Sequence, residues 1–559
     1  MKSRITFFNK IIEMCCITAI IAISCSPATE KADKIFTNGN VYTVDKNFSK
    51  ASIIAVRGDK ILYVGNDAEM VDKLKSADTQ IIDLKGQTVV PGIIESHLHY
   101  MDLGESLLAI DIYEKPKAEI LKAVAAEVAK LQPGEWITGS GWSHEVWDVA
   151  EWPRKEELDA VAPNNPVCLS RKDGHSVWVN SKALEIAGIT AATPDPQGGE
   201  IIRTASGEPS GILTDTAIDG VSSKIPEPSA ERKLAYYQRA DEEALHYGIT
   251  SLMDAGTSYE NIKMLKDAYS RGLLHVRAYE LLSIGEDIPY LADGNKPVLD
   301  LYDGKLSVNG VKFFTDGSLG SRSAWFLDDY NDRPGHKGNP RMTDDEFYSL
   351  VKRVREEGFQ ASTHAIGDAA VRQTINVYER VLSENPQADH RYRIEHFQNV
   401  HPDDFDRLID NGIIASMQTV HATSDMPFAE TRIGSERANY AYAWRTVIDK
   451  GGVIPNGSDA PVEYVNPYHG FYAAVTRCNQ QGQPAGGWYP QLKMTREEAL
   501  KSFTIWGAYA MFSENVKGSI ETGKYADFVV LDRDIMSCLD KDIIDTKALM
   551  TVLGGIVYE

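Results

Sequence analysis

Between residues 91 and 514 the chain alternates apolar, β-rich runs with helical patterns, and this alternation restricts the fold more than any other feature. The runs are GIIESHLH (92–99), GITSLMDAG (248–256), HVRAYELLS (275–283), LSVNGVKFFTDG (306–317), FQASTHAIGD (359–368), YRIEHFQ (392–398), IIASMQT (413–419) and GVIPNGSDAP (452–461). Segments such as YENIKMLKDAYSRGL, DDEFYSLVKRVREEG and AAVRQTINVYERVLSE stand between them with helical spacing. Eight strand–helix repeats predict an α/β fold, a (β/α)8 TIM-like barrel whose functional residues gather at the carboxyl ends of the strands. A doubly wound open sheet is the alternative. No Gly-x-Gly-x-x-Gly follows the first run and no phosphate-binding loop is present, which argues against it.

Short alternating strands with Asn-Gly and Gly-Asp turns fill 35–90, and a similar pattern returns in 515–559. Strands at both ends of the chain predict one small β-sandwich domain assembled from the two termini. The barrel then occupies 91–514. Residues 105–245 separate its first strand from its second and are too many for a loop, so an inserted subdomain is expected there. It carries the helical AEILKAVAAEVAKLQ and the polar-aromatic motifs GSGWSHEVWD and RKDGHSVWVNSKAL.

At the amino terminus Lys2, Arg4 and Lys10 precede the apolar run MCCITAIIAIS, which ends at Cys25 and gives way to SPATEKADK. The run is shorter than the roughly 20 residues a bilayer span requires, so residues 1–24 read as a secretory signal. Cys25 behind small residues resembles a bacterial lipoprotein cleavage site, although Ala22 stands where such sites usually carry Leu. We therefore expect an exported protein, periplasmic or at the cell surface, with residues 25–34 as a tether and Cys25 lipidated. Ser26 favours the outer membrane by the same resemblance. The 559 residues carry a formal charge of -22, from 58 basic against 80 acidic side chains, so no electrostatic footprint for nucleic acid is present. Cys168, Cys478 and Cys538 remain in the mature chain without a Cys-x-x-Cys pair, which argues against a cysteine zinc site and a disulfide framework. The oligomeric state is open, with a homodimer as one option.

Chemistry concentrates at the ends of the runs. On a strand, side chains at i and i+2 share a face, so His97 and His99 both point into the barrel mouth, where two imidazoles can grip one cation. His364 ends the fifth run, His396 the sixth and Asp459 the eighth, while Lys312 lies within the fourth. Each has an ordinary explanation: a core histidine, a salt-bridge lysine, a helix N-cap aspartate. Together, on five strands of one barrel, they point to a metal site. Asp316, Ser318, Ser321 and Arg322 follow the Lys312 run and either line the pocket, holding an anionic substrate group, or pack the loop. His144, and His421 with Asp425 in QTVHATSD, are further candidates, with structural roles the usual case for scattered histidines. NYAYAW and GGWYP read either as apolar pocket wall or as packing.

The motifs NGNVYTVD, GQTVVPGIIESHLH, RKDGHSVWVNSKAL, VKFFTDGSLGSRSAW, HAIGDAAV, RIEHFQ, GSDAPVE and YADFVVLDRDI span nearly the whole mature chain. In them the chain resembles the amidohydrolase superfamily, in its YtcJ-like branch, which includes N-substituted formamide deformylase. The resemblance implies that His97 and His99 bind one metal and that His364 and His396 bind a second. It further implies that Lys312 bridges them as a carbamate formed with CO2. Without that modification a single-metal site of His97, His99, His364 and Asp459 is expected. Imidazole and carboxylate ligands suit Zn2+, with Mn2+, Ni2+ or Fe2+ as other divalent options. Asp459 is expected to be ligand and catalytic acid–base, and Asp173 and His175 in the insertion to reach over the site as substrate-binding lid residues. Glu95 departs from the Asp usual before His-x-His, a change expected to leave the ligands unaffected. The implied function is a metal-dependent hydrolase of a small-molecule C-N bond in an amide, formamide or carbamate-like compound. A deaminase or C-O hydrolase is the enzymatic alternative, and a non-catalytic solute-binding lipoprotein the alternative of another class.

Overall fold

The computed structural model describes residues 30–196 and 198–559; the expected signal peptide, Cys25 and residues 25–29 of the tether lie outside the described residues. No helix among the described residues is long and apolar enough to cross a membrane.

Seven parallel strands follow one another around the barrel in chain order: Ile93–Leu98, Ile249–Thr257, Arg277–Ser283, Leu306–Phe314, Gln360–Ala365, Arg393–His396 and Ile414–Ser416. Helices cover their outer face and side chains fill the interior, so the strands are buried on both sides. That is why they read as near-continuous apolar runs rather than as alternation. The helix Asp344–Glu356 shows how the outer ring is fixed. A Thr343–Glu346 capping box starts it, and Phe347, Val351 and Val354 bury one stripe against the barrel.

The eighth run does not form a regular strand, contrary to expectation. Pro455 has no N–H to give a ladder, and a Cβ at Gly457 would lie 2.6 Å from the His97 nitrogen. The segment is pressed too closely onto the first strand for an ordinary pleat. It closes the barrel nonetheless: Ser96 N donates to Asn456 O (3.0 Å), Asp459 N to His97 O (2.7 Å) and Met417 N to Pro455 O (3.1 Å). Buried Glu95 completes the seam, its Oε1 accepting from Ser458 N at 2.8 Å and from His97 N at 3.2 Å. Glu95 therefore ties together the two segments that carry His97 and Asp459, a positioning role its sequence context did not suggest.

The two chain ends meet in one sheet. Phe528–Leu531 pairs antiparallel with Thr88–Pro91, with Val529 opposite Val90. Phe528 and Val530 face Phe36, Val41 and Ile54 in the core between this six-stranded sheet and a four-stranded one. Val529 and Leu531 point the other way, into the barrel core. The strand is buried on both faces, which accounts for its unbroken FVVL.

The insertion holds a five-stranded sheet built from Ile137–Trp142, Val167–Arg171, Ser176–Val179, Gly199–Arg203 and Pro209–Asp215. It has its own core around Trp142, Leu169, Trp178 and Ile212. The helix Ala230–His246 that follows packs on the barrel helix Tyr100–Leu108. Gly104 allows the approach, since a Cβ there would sit 1.8 Å from Tyr236 O. The NYAYAW and GGWYP aromatics pack rather than line the pocket: Trp444 and Trp488 sandwich the buried Arg477 guanidinium at 4.3 and 5.2 Å.

Candidate metal centre

The first strand delivers His97 to the barrel interior and His99 to its rim. His97 is fully buried, and its Nδ1 lies 2.5 Å from Glu395 Oε2, which fixes the ring and directs Nε2 at Asp459. His97 Nε2 is 3.4 Å and His99 Nε2 3.3 Å from Asp459 Oδ1. Donors at about 2.0–2.1 Å around a tetrahedral ion stand ~3.3 Å apart, so this trio fits one. On the other carboxylate oxygen, His396 Nδ1 and His421 Nε2 lie at 4.0 and 3.9 Å from Oδ2. His97 Nε2, His421 Nε2 and Asp459 Oδ1 are buried without a hydrogen-bond partner among the described residues. Orphaned lone-pair atoms of this kind are what a bound cation satisfies. The residues present therefore fit a divalent metal.

Strand alternation alone would put His396 with Ile394 on the helix side, because Arg393 and Glu395 point inward. Positive φ angles at His396 (72°) and Phe397 (45°) turn the chain at the rim. The His396 ring thus comes to 4.8 Å from His97 and 4.5 Å from His364, centroid to centroid. Left-handed backbone in a non-glycine residue costs about 1–2 kcal/mol and is retained where function needs the geometry. Gln418 Oε1 holds His396 Nδ1 at 2.8 Å.

Beneath the imidazoles a buried ionic network supports them. Glu395 accepts from Arg393 Nε (2.7 Å) and Ser362 Oγ (2.6 Å) as well as bonding His97. Burial opposes its ionisation, but Arg393 and His97 hold it well below the usual carboxylate range. Asp459 is likewise kept ionised against its burial by His97, His99 and His396. Burial pushes His364 and His396 well below the ordinary imidazole range, leaving them neutral with lone pairs available. Lys312, also buried, is lowered by desolvation; its Nζ donates to Ala255 O at 3.3 Å.

All of the expected ligands except His97 border one cavity of about 510 Å³. His99, Lys312, His364, His396, His421 and Asp459 form its floor, and Ser143, Glu145, Arg171, Lys172, Asp173 and His175 of the insertion form its roof. His97 lies just below. His364 sits beside His396, yet its Nε2 faces Gly317 O (3.3 Å) and Asp316 Oδ1 (3.4 Å) rather than Asp459. Ser318 lines the cavity; Ser321 bonds Ser318 and Ser323 beside it. Two of the expected substrate-binding residues do not line the cavity. Asp316 is fully buried and accepts from the backbone of Trp325, Ile366 and Gly367, pinning the loops after the fourth and fifth strands. Its carboxyl is raised by burial to about 7. Arg322 turns outward to Asp332 (2.8 Å). His144 packs on Trp152, with ring centroids 4.2 Å apart, outside the cavity.

Sequence reasoning undervalued His421 and passed over Glu395. His421 lies in the first turn of the helix Thr419–Ala438 that follows the seventh strand, near the rim that singled out His364 and His396. Glu395 was legible as the inward neighbour of His396, but only the register that sets it against His97 gives it a role.

A metal-ready set of imidazoles and a carboxylate at the carboxyl rim of a TIM-like barrel defines a metal-dependent hydrolase. The chain belongs to the amidohydrolase family, whose model matches residues 80–558. It is 34% identical to Protein LONG AFTER FAR-RED 3 of Arabidopsis thaliana, over 95% of this chain and 92% of that one. It is 30% identical to the putative amidohydrolase YtcJ of Bacillus subtilis, over 94% and 99%. N-substituted formamide deformylase of Arthrobacter pascens is 28% identical over 95% and 99%. Among solved structures, an uncharacterized metal-dependent hydrolase from Pyrococcus horikoshii superposes with a TM-score of 0.76 at 26% identity, covering 91% of this chain and 99% of that one.

Proposed function

We propose that the protein hydrolyses a non-peptide C-N bond in an amide, formamide or carbamate-like small molecule. The carrying observation is Asp459: ionised, buried, and within 3.4 Å of two imidazole nitrogens, one of them on the His97 ring that Glu395 holds in place. His97, His99 and Asp459 would hold one metal, with His396, His421, His364 and Lys312 around a second position. A divalent ion held by these residues, Zn2+ or another transition metal, would supply water activated near neutral pH and Lewis-acid polarisation of the substrate carbonyl. Asp459 takes the proton of the attacking water and delivers it to the leaving nitrogen. The roof excludes bulk water and orients the substrate. The formamide deformylase relative supports the C-N assignment by the chemistry its name states.

Lys312 is proposed to be carbamylated. Burial favours its neutral amine, which adds to CO2 with loss of a proton and gives an anionic oxygen donor beside the histidines. The export signal and the lipid anchor at Cys25 complete the proposal, giving a hydrolase tethered on the outer side of a bacterial membrane, probed by whether Cys25→Ala releases the protein from membranes.

Metal-stripped protein reloaded with Zn2+, with and without bicarbonate, and assayed on amides, formamides, carbamates and esters tests the main reading. Amide or formamide turnover that chelation abolishes and metal restores is expected. Preferential ester cleavage or deamination would overturn it, and bicarbonate-independent reactivation would remove the carbamate.

A further inference from the structure

Five carboxylates besides Asp459 line the cavity: Glu114, Glu145, Asp173, Asp425 and Glu463. Four of them share two cations. Lys172 Nζ lies 2.9 Å from Glu114 and 3.2 Å from Glu463, while Arg171 lies 2.8 Å from Glu145 and 2.5 Å from Asp173. Asp425 has no ion-pair partner among the described residues; its hydrogen bond comes from Tyr442 Oη at 2.5 Å. The cavity thus holds more negative charge than its own cations balance, and the excess is sharpest at Asp425. Asp425 is partly buried, and a carboxylate partly withdrawn from water without a cation gains from a ligand that brings one.

The position of Asp425 is fixed relative to the chemistry. It stands four residues after His421 on the helix Thr419–Ala438, so the two side chains share a face with Cβ atoms about 5–6 Å apart. His421 Nε2 is 3.9 Å from Asp459. Gln398 also borders the cavity, and its buried Oε1 has no partner among the described residues, a second acceptor for an N–H group. Phe314, Leu319 and Ile366 give an apolar surface for the intervening carbons.

We propose that the substrate carries an aliphatic ammonium group about one helical turn from its scissile C-N bond and that Asp425 receives it. This deepens the C-N hydrolase reading and rests on it for the scissile bond. Burial lifts the Asp425 carboxyl to about 6, so above that value the side chain offers the anion that an ammonium group pairs with.

Zinc-loaded protein is assayed on N-formyl-1,4-diaminobutane, N-formylbutylamine and N-formyl-4-aminobutanoate. The amino-bearing compound should show a kcat/KM at least ~10-fold above the neutral one, with the anionic one lowest. Asp425→Asn, which keeps the acceptor for Tyr442, should reduce that preference to about twofold or less. Binding of butylammonium, butanoate and 1-butanol to the wild-type protein, measured by calorimetry, reads the same subsite without turnover and without a variant. Butylammonium binding no tighter than the other two, or a preference that survives Asp425→Asn, overturns the proposal. If butylammonium binds selectively while no amide is cleaved, the hydrolase reading fails and the subsite stands. If formamides are cleaved without regard to the amine, the reverse holds.

Discussion

At the floor of the cavity several buried polar atoms lack a hydrogen-bond partner among the described residues, whereas the cations of its roof are each bound to carboxylates. At or just below the floor, His97 Nε2, His421 Nε2 and Asp459 Oδ1 have no hydrogen bond among the described residues. Overhead, Arg171, Lys172 and His175 are each paired with a carboxylate within 2.9 Å. The floor is organised around a charge supplied from outside the chain. The roof cations are held by carboxylates, and the roof meets the barrel through Lys172 to Glu463 and Tyr113 Oη to Val462 O at 2.9 Å. Substitutions on the floor should therefore remove chemistry, and substitutions on the roof should alter how substrate is held.

The largest effect is expected at Asp459. Asp459→Asn should lower kcat about 1000-fold or more, with metal content falling far less, as measured by turnover and metal analysis on one preparation. A drop below tenfold would move proton transfer elsewhere and break the contrast. Next comes Glu395→Gln, which loosens the His97 ring and leaves Arg393 buried beside a neutral partner. Metal affinity or activity should fall about 10–100-fold, and denaturant melts should show a loss on the order of 3–5 kcal/mol. Retained affinity would mean that His97 is held by strand geometry alone.

On the roof, Lys172→Met removes the cation that Glu463 and Glu114 share. KM should rise about tenfold while kcat stays within roughly threefold, in steady-state kinetics across a substrate series. A kcat loss of the size expected at the floor would show that the roof takes part in the chemistry. The smallest effect concerns the seam. Burial raises the Glu95 carboxyl from its ordinary 4.5 to about 8, so the folded chain keeps a proton that the unfolded chain has released. That contribution is complete below 4.5 and disappears as pH climbs through 8. Glu95→Gln, permanently neutral, should flatten this decline and raise Tm above wild type by a few degrees (~2–4 °C) at pH 9, with little difference at pH 5. Parallel curves for the two proteins would remove the seam from the pH response.

The barrel was legible because parallel strands buried on both faces leave continuous apolar runs, and because each is followed by a helix with its own caps. The same logic gave His97 and His99 a common face. It failed for the eighth run, where Pro455 and Gly457 reject a regular pleat and a side chain, Glu95, takes over part of the ladder. It also ranked Arg322 with the pocket, since nothing in GSLGSRSA distinguishes an inward turn from the outward one that Asp332 secures. His421 stood in plain view after the seventh run, weighed against the usual structural role of scattered histidines.

By itself the sequence determined which residue types were available at each rim position and in what order, since period-2 burial and turn chemistry act over a few residues. The tertiary structure decided which nitrogens and oxygens face one another. That depends on strand register, on the left-handed turn at His396 and on a carboxylate contributed by a distant strand, quantities set by packing across the whole barrel rather than by any local run.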